Sequence, residues 1–570
     1  PAVDRGADAA VNLTVPECWK TLADDTKAPD ASLPHYIREI QIPVNKQAGD
    51  AIPVSEFMPY ADGVTPSETS KYEKRGIAVK VPQWIPENCI GCNKCALVCP
   101  HAAIRPFLLN AEEEAAKPAA FVTKEAKGKG FEGLTFRMQV DPLDCQGCGA
   151  CANVCPAKEK ALVMELLDTQ MPEQENWEHA LTLSTKTNPM DKFTVRGSQF
   201  ERPLYEFSGA CAGCGEAPYM KLMSQLFGDR MFVTSATGCA YVVGSSTPSF
   251  PYAVNEKGHG PANSNSLFED NAEYALGMKL SIDQMRRQMA AHAEAVVAST
   301  SDAALKSALE AWLAEGDNGD KTRALSEAVV AALNATAETS DDIAFLKANK
   351  DALPKKSVWM YGGDGWAYDI GFGGLDHVLA SGADVNVLVV DTEVYSNTGG
   401  QASKATQLGA VAQFANGGKR TGKKDLGAIA MTYGNVYVAQ VAMGANEQHL
   451  ITALKEAEAH HGPSILIAYA PCINHGISKG MSQAQLEEKL ASECGYWPLW
   501  RYVPELKAEG KNPFILTSKE PNGQLLDFMM GETRFASLTR TFPETAKVLF
   551  AEAEEFCAQR YAKYKHLAEQ

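Results

Sequence analysis

The chain has 570 residues, a length that corresponds to roughly four domains of about 150 residues each. Hydrophobic residues make up 45% of it and charged residues 22%, which excludes global disorder. The formal net charge of −17 argues against a nucleic-acid-binding protein, which needs a basic face. The two long uncharged stretches, 231–255 and 426–446, are interrupted by polar residues, so no membrane span is predicted.

The sequence divides into four regions. Prolines punctuate residues 1–82 and exclude a long helix there, so we expect a connecting arm. Residues 83–165 form a compact cysteine-rich unit, and 166–203 are predicted to be a linker. In 204–570, apolar β-type runs alternate with helical periodicity, which is typical of a doubly wound α/β domain.

Several elements of the α/β domain can be predicted individually. An Ala-rich stretch near 276–350 is expected to be a helical insertion, and 543–570 a terminal amphipathic helix. The predicted strands are 357–361, 384–390 and 464–469, and a helix is predicted over 446–460.

The chain contains 15 cysteines, and most of them are clustered. Disulfide frameworks belong to small secreted proteins, and no signal peptide is visible here. Bunched cysteines in a long chain therefore indicate metal binding in a reducing, cytoplasmic compartment. Cys18, Cys494 and Cys557 match no pattern and are interpreted as structural.

Eight cysteines form two runs with the spacing C-x2-C-x2-C-x3-C-P. This doubled spacing is the signature of a small α+β ferredoxin domain of the bacterial type, in which the last thiolate of each run ligates the other 4Fe–4S cluster. Zinc is the alternative, but zinc sites use isolated C-x2-C pairs. The expected ligand sets are Cys89, Cys92, Cys95 and Cys155 for one cluster, and Cys145, Cys148, Cys151 and Cys99 for the other.

A second pattern joins two predicted strands. Gly363-Asp364-Gly365 follows one strand, and an oxygen-rich turn at 391–400 follows the next. A carboxylate at one strand end and oxygens at the neighbouring one can hold Mg²⁺ and a diphosphate. Gly-Asp-Gly alone fits an ordinary turn equally well. The combination resembles the thiamine diphosphate motif, which usually has Asn where Thr392 stands.

Four further cysteines, Cys211, Cys214, Cys239 and Cys472, lie in three loops of the α/β domain. Because functional groups gather at the carboxyl ends of parallel strands, these thiols suggest a third cluster. Buried structural cysteines are the alternative. Glu216 follows Cys214-Gly215 and is either a helix-start residue or the carboxylate that thiamine enzymes aim at the aminopyrimidine ring.

Together these motifs resemble the C-terminal half of pyruvate:ferredoxin oxidoreductases, nearly from end to end. Typical segments are 72–79, 209–216, 237–240, 363–366, 395–401 and 424–427. The resemblance implies that Cys211, Cys214, Cys239 and Cys472 ligate a third 4Fe–4S cluster. It also implies that Asp364, Thr392 and the Val394 carbonyl hold Mg²⁺.

The same resemblance implies the surroundings of thiamine diphosphate, with Glu216 and Asn397 as the catalytic residues and Asn397 near the reacting carbon. The implied surrounding residues are Glu216, Cys239, Gly363, Asp364, Gly365, Trp366, Thr392, Glu393, Val394, Tyr395, Ser396 and Asn397.

The resemblance implies a complete activity as well. Pyruvate and coenzyme A would give acetyl-CoA and CO₂, with electrons passing through three 4Fe–4S clusters to ferredoxin or flavodoxin. The N-terminal domains of single-chain members, which orient substrate and help bind coenzyme A, would lie in the same polypeptide or a separate chain, and the assembly would be a homodimer. Two alternatives stay open: an oxidoreductase of another 2-oxo acid, and a pure electron-transfer protein.

Overall fold

A computed structural model describes residues 2–21, 30–245 and 248–570. The chain forms two compact units, one within residues 1–65 and the other within residues 66–570. The described part of the first unit holds only short elements, in agreement with its many prolines. They include the helices α1 (Ala2–Asp8) and α2 (Ile42–Asn45), and single helical turns at Glu17–Thr21, Ile37–Gln41, Gly49–Ala51 and Val54–Tyr60.

In the second unit, each ferredoxin-type cysteine run lies in a tight loop that leads into a short helix. Gly91, Gly147 and Gly149 have φ of 67°, 67° and 78°, a left-handed conformation that glycine adopts without strain. The elements here are β1 (Lys80–Trp84), α3 (Lys94–Leu97), β2 (Ile104–Leu109), α4 (Ala111–Ala116), β3 (Lys124–Glu125), β4 (Thr135–Val140), α5 (Ala150–Val154) and β5 (Leu162–Leu166). Strands β1 and β5 pair antiparallel, and β2, β4 and β3 form a three-stranded antiparallel sheet in that order.

The segment predicted as a linker contains three helices, α6 (Leu167–Gln170), α7 (Glu173–Thr182) and α8 (Val195–Ser198). Helix α7 buries Trp177, whose ring packs edge-on against Phe107 at 6.0 Å and Phe207 at 6.2 Å. Residues 166–203 are therefore more ordered than the sequence suggested, because one aromatic side chain anchors the segment in the core.

The remaining residues build the α/β domain. Its strands are β6 (Met231–Ser235), β7 (Ala262–Ser264), β8 (Ser357–Gly363), β9 (Asn386–Asp391), β10 (Val394–Tyr395), β11 (Gln401–Ala402), β12 (Tyr437–Val441), β13 (Ser464–Tyr469), β14 (Trp500–Tyr502) and β15 (Phe514–Leu516). Its helices are α9 (Ala217–Phe227), α10 (Cys239–Ser245), α11 (Asn271–Ser299), α12 (Ala303–Glu315), α13 (Thr322–Ala335), α14 (Asp341–Ala348), α15 (Phe372–Ala380), α16 (Leu426–Met431), α17 (Glu447–Ala459), α18 (Ala484–Glu493), α19 (Leu525–Met530), α20 (Thr533–Thr541) and α21 (Pro543–Glu569).

Eight strands form one sheet in the order β15-β14-β12-β13-β9-β8-β6-β7. The six from β12 to β7 are parallel, and β14 and β15 add an antiparallel edge. Strand β9 is buried on both faces: Val387 and Val389 join one hydrophobic core, while Leu388 and Val390 join the other. The predicted doubly wound α/β fold is confirmed.

The helical insertion was also predicted, although α11 begins at Asn271, before residue 276. Helices α11 to α14 form their own core around side chains such as Met289, Leu305 and Trp312. In the described parts of the chain, no helix is both long enough and apolar enough to cross a membrane.

Candidate functional site

Four neighbouring parallel strands, β13, β9, β8 and β6, end at one edge of the sheet. Cys472, Thr392, Asp364 and Cys239 each follow one of these strand ends within four residues. Because parallel strands present their carboxyl ends together, the sheet brings these groups to one place.

Three oxygens converge where β8 and β9 end. The Thr392 hydroxyl oxygen lies 3.0 Å from Asp364 Oδ1 and 3.0 Å from the Val394 carbonyl oxygen. Asp364 is only 1% exposed, and burial followed by the charge of Asp391 raises the pKa of its carboxyl well above the usual value. A cation would relieve this electrostatic penalty. A carboxylate, a hydroxyl and a carbonyl oxygen that lie this close together therefore fit a site for a hard divalent ion such as Mg²⁺.

A buried network of charged and polar side chains holds the turn that carries the Thr392 and Val394 oxygens. Glu393, which has an unusual φ of 60°, accepts hydrogen bonds from Lys423 and Gln407 at 3.2 Å and pairs with Arg534 at 2.8 Å. Although burial opposes ionisation, the charges of Lys423 and Arg534 hold the pKa of Glu393 at about 2. The Glu393 side chain therefore takes part in the buried core. It does not line the cavity described in the next paragraph.

A cavity of about 100 Å³ lies beside the three oxygens. Its lining includes nine residues that the family resemblance places around thiamine diphosphate: Glu216, Cys239, Gly363, Gly365, Trp366, Val394, Tyr395, Ser396 and Asn397. Four residues that the resemblance did not place there also line it: Thr237, Gly238, Phe268 and Thr398. Phe268 packs edge-on against Tyr395 at 6.1 Å, and no local motif could have indicated that contact.

Glu216 is the buried carboxylate of this cavity. Its exposed fraction is 4%, its Oε1 atom accepts a long hydrogen bond of 3.5 Å from Ser396, and its Oε2 atom has no partner among the described residues. Burial raises the pKa of Glu216 to about 7, against a lowering effect of the Ser396 hydroxyl. An unpartnered buried carboxylate oxygen beside a cavity fits a ligand that presents a hydrogen-bond donor.

The four cysteines of the predicted third cluster lie together beside Glu216. Burial and then Glu216 raise the pKa of the Cys239 thiol, with further contributions from Cys472 and Cys211. Ser396 donates a hydrogen bond to Cys239 Sγ at 3.3 Å, and the Glu216 amide donates to Cys214 Sγ at 3.3 Å. Iron binds the thiolate form of cysteine, so a bound cluster would replace the protons on these sulfur atoms.

The ferredoxin-type cysteines lie near one another, and the two ligand sets stay predictions. Cys99, Cys145, Cys148 and Cys151 line one small cavity. In the other set, burial raises the pKa of the Cys92 and Cys95 thiols, and the neighbouring Cys89 and Cys155 add to the shift. No three His, Cys, Asp or Glu side chains of the described residues could hold a single metal ion.

The Cys148 set adjoins the third set directly. Burial raises the pKa of the Cys148 thiol to about 11, and the nearby backbone amide of Gly213, in the loop between Cys211 and Cys214, acts in the opposite direction. Gly213 has a φ of 77°, and an added Cβ would lie 2.7 Å from the Met481 carbonyl oxygen.

The three cysteines outside these sets differ from one another. Cys494 and Cys557 are buried in the core of the α/β domain, which fits their interpretation as structural. Cys18 is exposed, so that interpretation is wrong for Cys18.

Three family models match the chain. Residues 79–158 match a 4Fe-4S dicluster domain, and residues 328–468 match the C-terminal TPP binding domain of thiamine pyrophosphate enzymes. Residues 24–78 match a domain of unknown function. The fold and these matches define the class of the chain: it combines a thiamine pyrophosphate-binding domain with an iron–sulfur dicluster domain.

Sequence comparison with individual proteins shows which members of this class the chain is similar to. The chain is 54% identical to pyruvate:ferredoxin oxidoreductase of Moorella thermoacetica and 52% identical to pyruvate-flavodoxin oxidoreductase of Klebsiella pneumoniae, covering 100% of itself but only 49% and 48% of those proteins. It is 44% identical to the mitochondrial pyruvate dehydrogenase (NADP+) of Euglena gracilis over 99% of itself and 31% of that protein. The chain is thus homologous, over its whole length, to about half of a pyruvate:ferredoxin or pyruvate-flavodoxin oxidoreductase, and the resemblance inferred from the sequence is confirmed.

Proposed function

We propose that this chain is the thiamine and electron-relay half of a coenzyme A-acetylating pyruvate:ferredoxin oxidoreductase. One observation carries the proposal: Glu216, the Asp364–Thr392–Val394 oxygens and four cysteines lie at one edge of the sheet, and the loop between Cys211 and Cys214 lies near Cys148 of a ferredoxin-type set. A cofactor site that adjoins an electron relay is what oxidation of a 2-oxo acid through iron–sulfur clusters requires.

In this proposal Asp364, Thr392 and the Val394 carbonyl hold Mg²⁺, which anchors the diphosphate of thiamine diphosphate. Gly363 and Gly365 leave room for the phosphates beside the metal. Glu216 accepts a hydrogen bond from the aminopyrimidine ring, and Asn397 lies near the reacting carbon. Thiamine diphosphate, when bound, supplies the nucleophilic carbon and the electron sink for decarboxylation.

The contacts support an order for the relay. The Cys211, Cys214, Cys239 and Cys472 thiolates would hold the cluster beside the cofactor cavity, which would accept electrons first. The cluster of Cys99, Cys145, Cys148 and Cys151 would come next, because the Gly213 amide lies near Cys148. The cluster of Cys89, Cys92, Cys95 and Cys155 would pass electrons to ferredoxin or flavodoxin, because the neighbouring Ile90 is 65% exposed.

The remaining expectations concern the whole assembly. The relatives are about twice as long as this chain, so substrate orientation and coenzyme A binding are assigned to the part that the chain does not cover. A homodimer and a cytoplasmic location stay predictions. None of the described cysteines forms a disulfide bond, which is compatible with the predicted reducing compartment.

Cys148→Ser tests the proposed function and the order of the relay. In the complete protein purified without oxygen, pyruvate-dependent reduction of ferredoxin or flavodoxin should fall at least about tenfold. CO₂ release in the first turnover should survive, because the cofactor and the adjacent cluster stay intact. The matched control is Cys494→Ser, a buried cysteine outside the three sets, which should preserve both signals.

Three results would contradict the proposal. Loss of first-turnover CO₂ from a folded Cys148→Ser variant that retains its other clusters would overturn the order of the relay. Failure of the wild-type protein to bind thiamine diphosphate would favour a pure electron-transfer protein. Faster electron release with 2-oxoglutarate or an aryl pyruvate than with pyruvate would reassign the substrate.

A further inference from the structure

Lys221 is a buried cation in the second turn of α9, the helix that begins directly after Glu216. Its exposed fraction is 1%. The ammonium group donates hydrogen bonds to the Ala96 carbonyl and, at 2.8 Å, to the Leu97 carbonyl. Of the carboxylates in the described ranges, none forms an ion pair with Lys221, so its charge is not neutralised by a salt bridge.

The position of this charge is specific. Ala96 and Leu97 belong to α3, which contains Cys95 of one ferredoxin-type set and ends two residues before Cys99 of the other. Lys221 interacts electrostatically with both thiols. The other nearby cation, Arg105, pairs with Glu206, so its charge is largely offset. Lys221 therefore contributes an unpaired positive charge between the two sets.

A buried ammonium group without a carboxylate partner is costly unless other negative charge stabilises it. Burial lowers the pKa of Lys221 to about 8, and the nearby Cys99 and Cys95 thiols act in the opposite direction. A cubane with four thiolates is negatively charged, and it gains one more negative charge when it takes up an electron. A fixed cation beside it therefore stabilises the reduced form more than the oxidised form.

We propose that Lys221 raises the reduction potentials of the two ferredoxin-type clusters, so that a residue of the thiamine-binding domain favours electron flow out of that domain. The inference rests on the proposed function, because it requires that the two cysteine sets hold 4Fe–4S clusters. Lys221 is a tuning residue and touches neither substrate nor cofactor. A purely structural role, in which it caps the end of α3, would leave the potentials unchanged.

The test is a reductive titration of the complete protein, reconstituted with iron and sulfide and monitored by electron paramagnetic resonance. Lys221→Gln removes the charge and keeps a group that can bond to the carbonyls. A unit charge about 10 Å from a cluster, at an effective dielectric constant of about 20, changes the ratio of reduced to oxidised cluster on the order of tenfold. The midpoint potential of at least one cluster should therefore fall by about 59 mV, the one-electron equivalent of tenfold.

Two further variants separate charge from capping. Lys221→Arg keeps the charge and should leave both potentials near the wild-type values. Lys192→Met is the matched control, because Lys192 also bonds a carbonyl of α9, that of Leu226 at 2.8 Å, and its other described contact is the Phe193 ring. Its potentials should equal those of the wild type.

The outcomes are distinguishable. Potentials in Lys221→Gln that equal those of Lys192→Met would overturn the tuning role, as would a shift of the same size in Lys221→Arg. A wild-type protein without ferredoxin-type 4Fe–4S signals would refute the proposed function itself. If Lys221→Gln loses its clusters, Lys221→Met decides by the same criterion, because a neutral side chain of similar length fills the same space.

Discussion

Glu216 leaves a carboxylate oxygen without a partner among the described residues, in a cavity that is otherwise closely lined. An unsatisfied buried polar atom destabilises a folded protein by about 1–3 kcal/mol. Such an atom is retained where a ligand completes its hydrogen bonding. This unpartnered oxygen supports the proposed thiamine-activating role of Glu216 over the role of an ordinary helix-start residue.

Replacing Glu216 by Gln should therefore reduce activation of bound thiamine diphosphate without unfolding the protein. Positioned acid–base groups contribute about 10²–10⁴-fold in rate, so exchange of the thiamine C2 proton should slow by about two orders of magnitude or more. Nuclear magnetic resonance of quenched samples measures that exchange.

Glu488→Gln is the control for the Glu216 variant, because Glu488 is equally buried but bonded to the Gly444 amide at 2.8 Å and to Tyr219 at 3.2 Å. It should lower the melting temperature and leave the exchange rate unchanged. Wild-type exchange in Glu216→Gln would mean that Glu216 only begins α9.

Among the structural elements, the loop from Cys211 to Cys214 lies where the thiamine-binding domain approaches the ferredoxin-type domain. Its backbone is constrained twice, by the left-handed φ of Gly213 and by the close approach of Met481. The Gly213 amide also lies near Cys148, so we expect a change in this loop to affect both the stability of the fold and the proposed electron relay.

Gly213→Ala should lower the stability by about 1–3 kcal/mol, the usual effect of a residue forced into a sparsely populated conformation. It should also slow electron transfer between the third cluster and the Cys148 cluster, which freeze-quenched spectra can follow. Gly209→Ala serves as the comparison, because an added Cβ there meets nothing within 4 Å. Equal behaviour of the two variants would show that the loop geometry does not matter.

Across the whole molecule, the sequence predicts those features that a short stretch of consecutive residues determines. The strand at 464–469, the helix near 446–460 and the cysteine spacings are all local, and the structure contains each of them. Cavity residues such as Phe268 could not be predicted, because they come from distant parts of the chain. The same is true of Lys221 and Ser403, whose hydroxyl donates to Asp364 Oδ2 at 2.6 Å. The residues around Trp177 do not predict a helix within the expected linker. Trp177 is buried because of tertiary contacts with distant residues.

We propose that this chain carries three 4Fe–4S clusters beside a thiamine site. Anaerobic analysis of iron and acid-labile sulfide per chain tests the number of clusters, with wild type and Cys472→Ser measured in parallel. We expect about twelve iron atoms per wild-type chain and about four fewer in the variant, because each cubane contains four. A wild-type value near eight that Cys472→Ser does not change would eliminate the third cluster, and stoichiometric zinc in place of iron would contradict all three clusters.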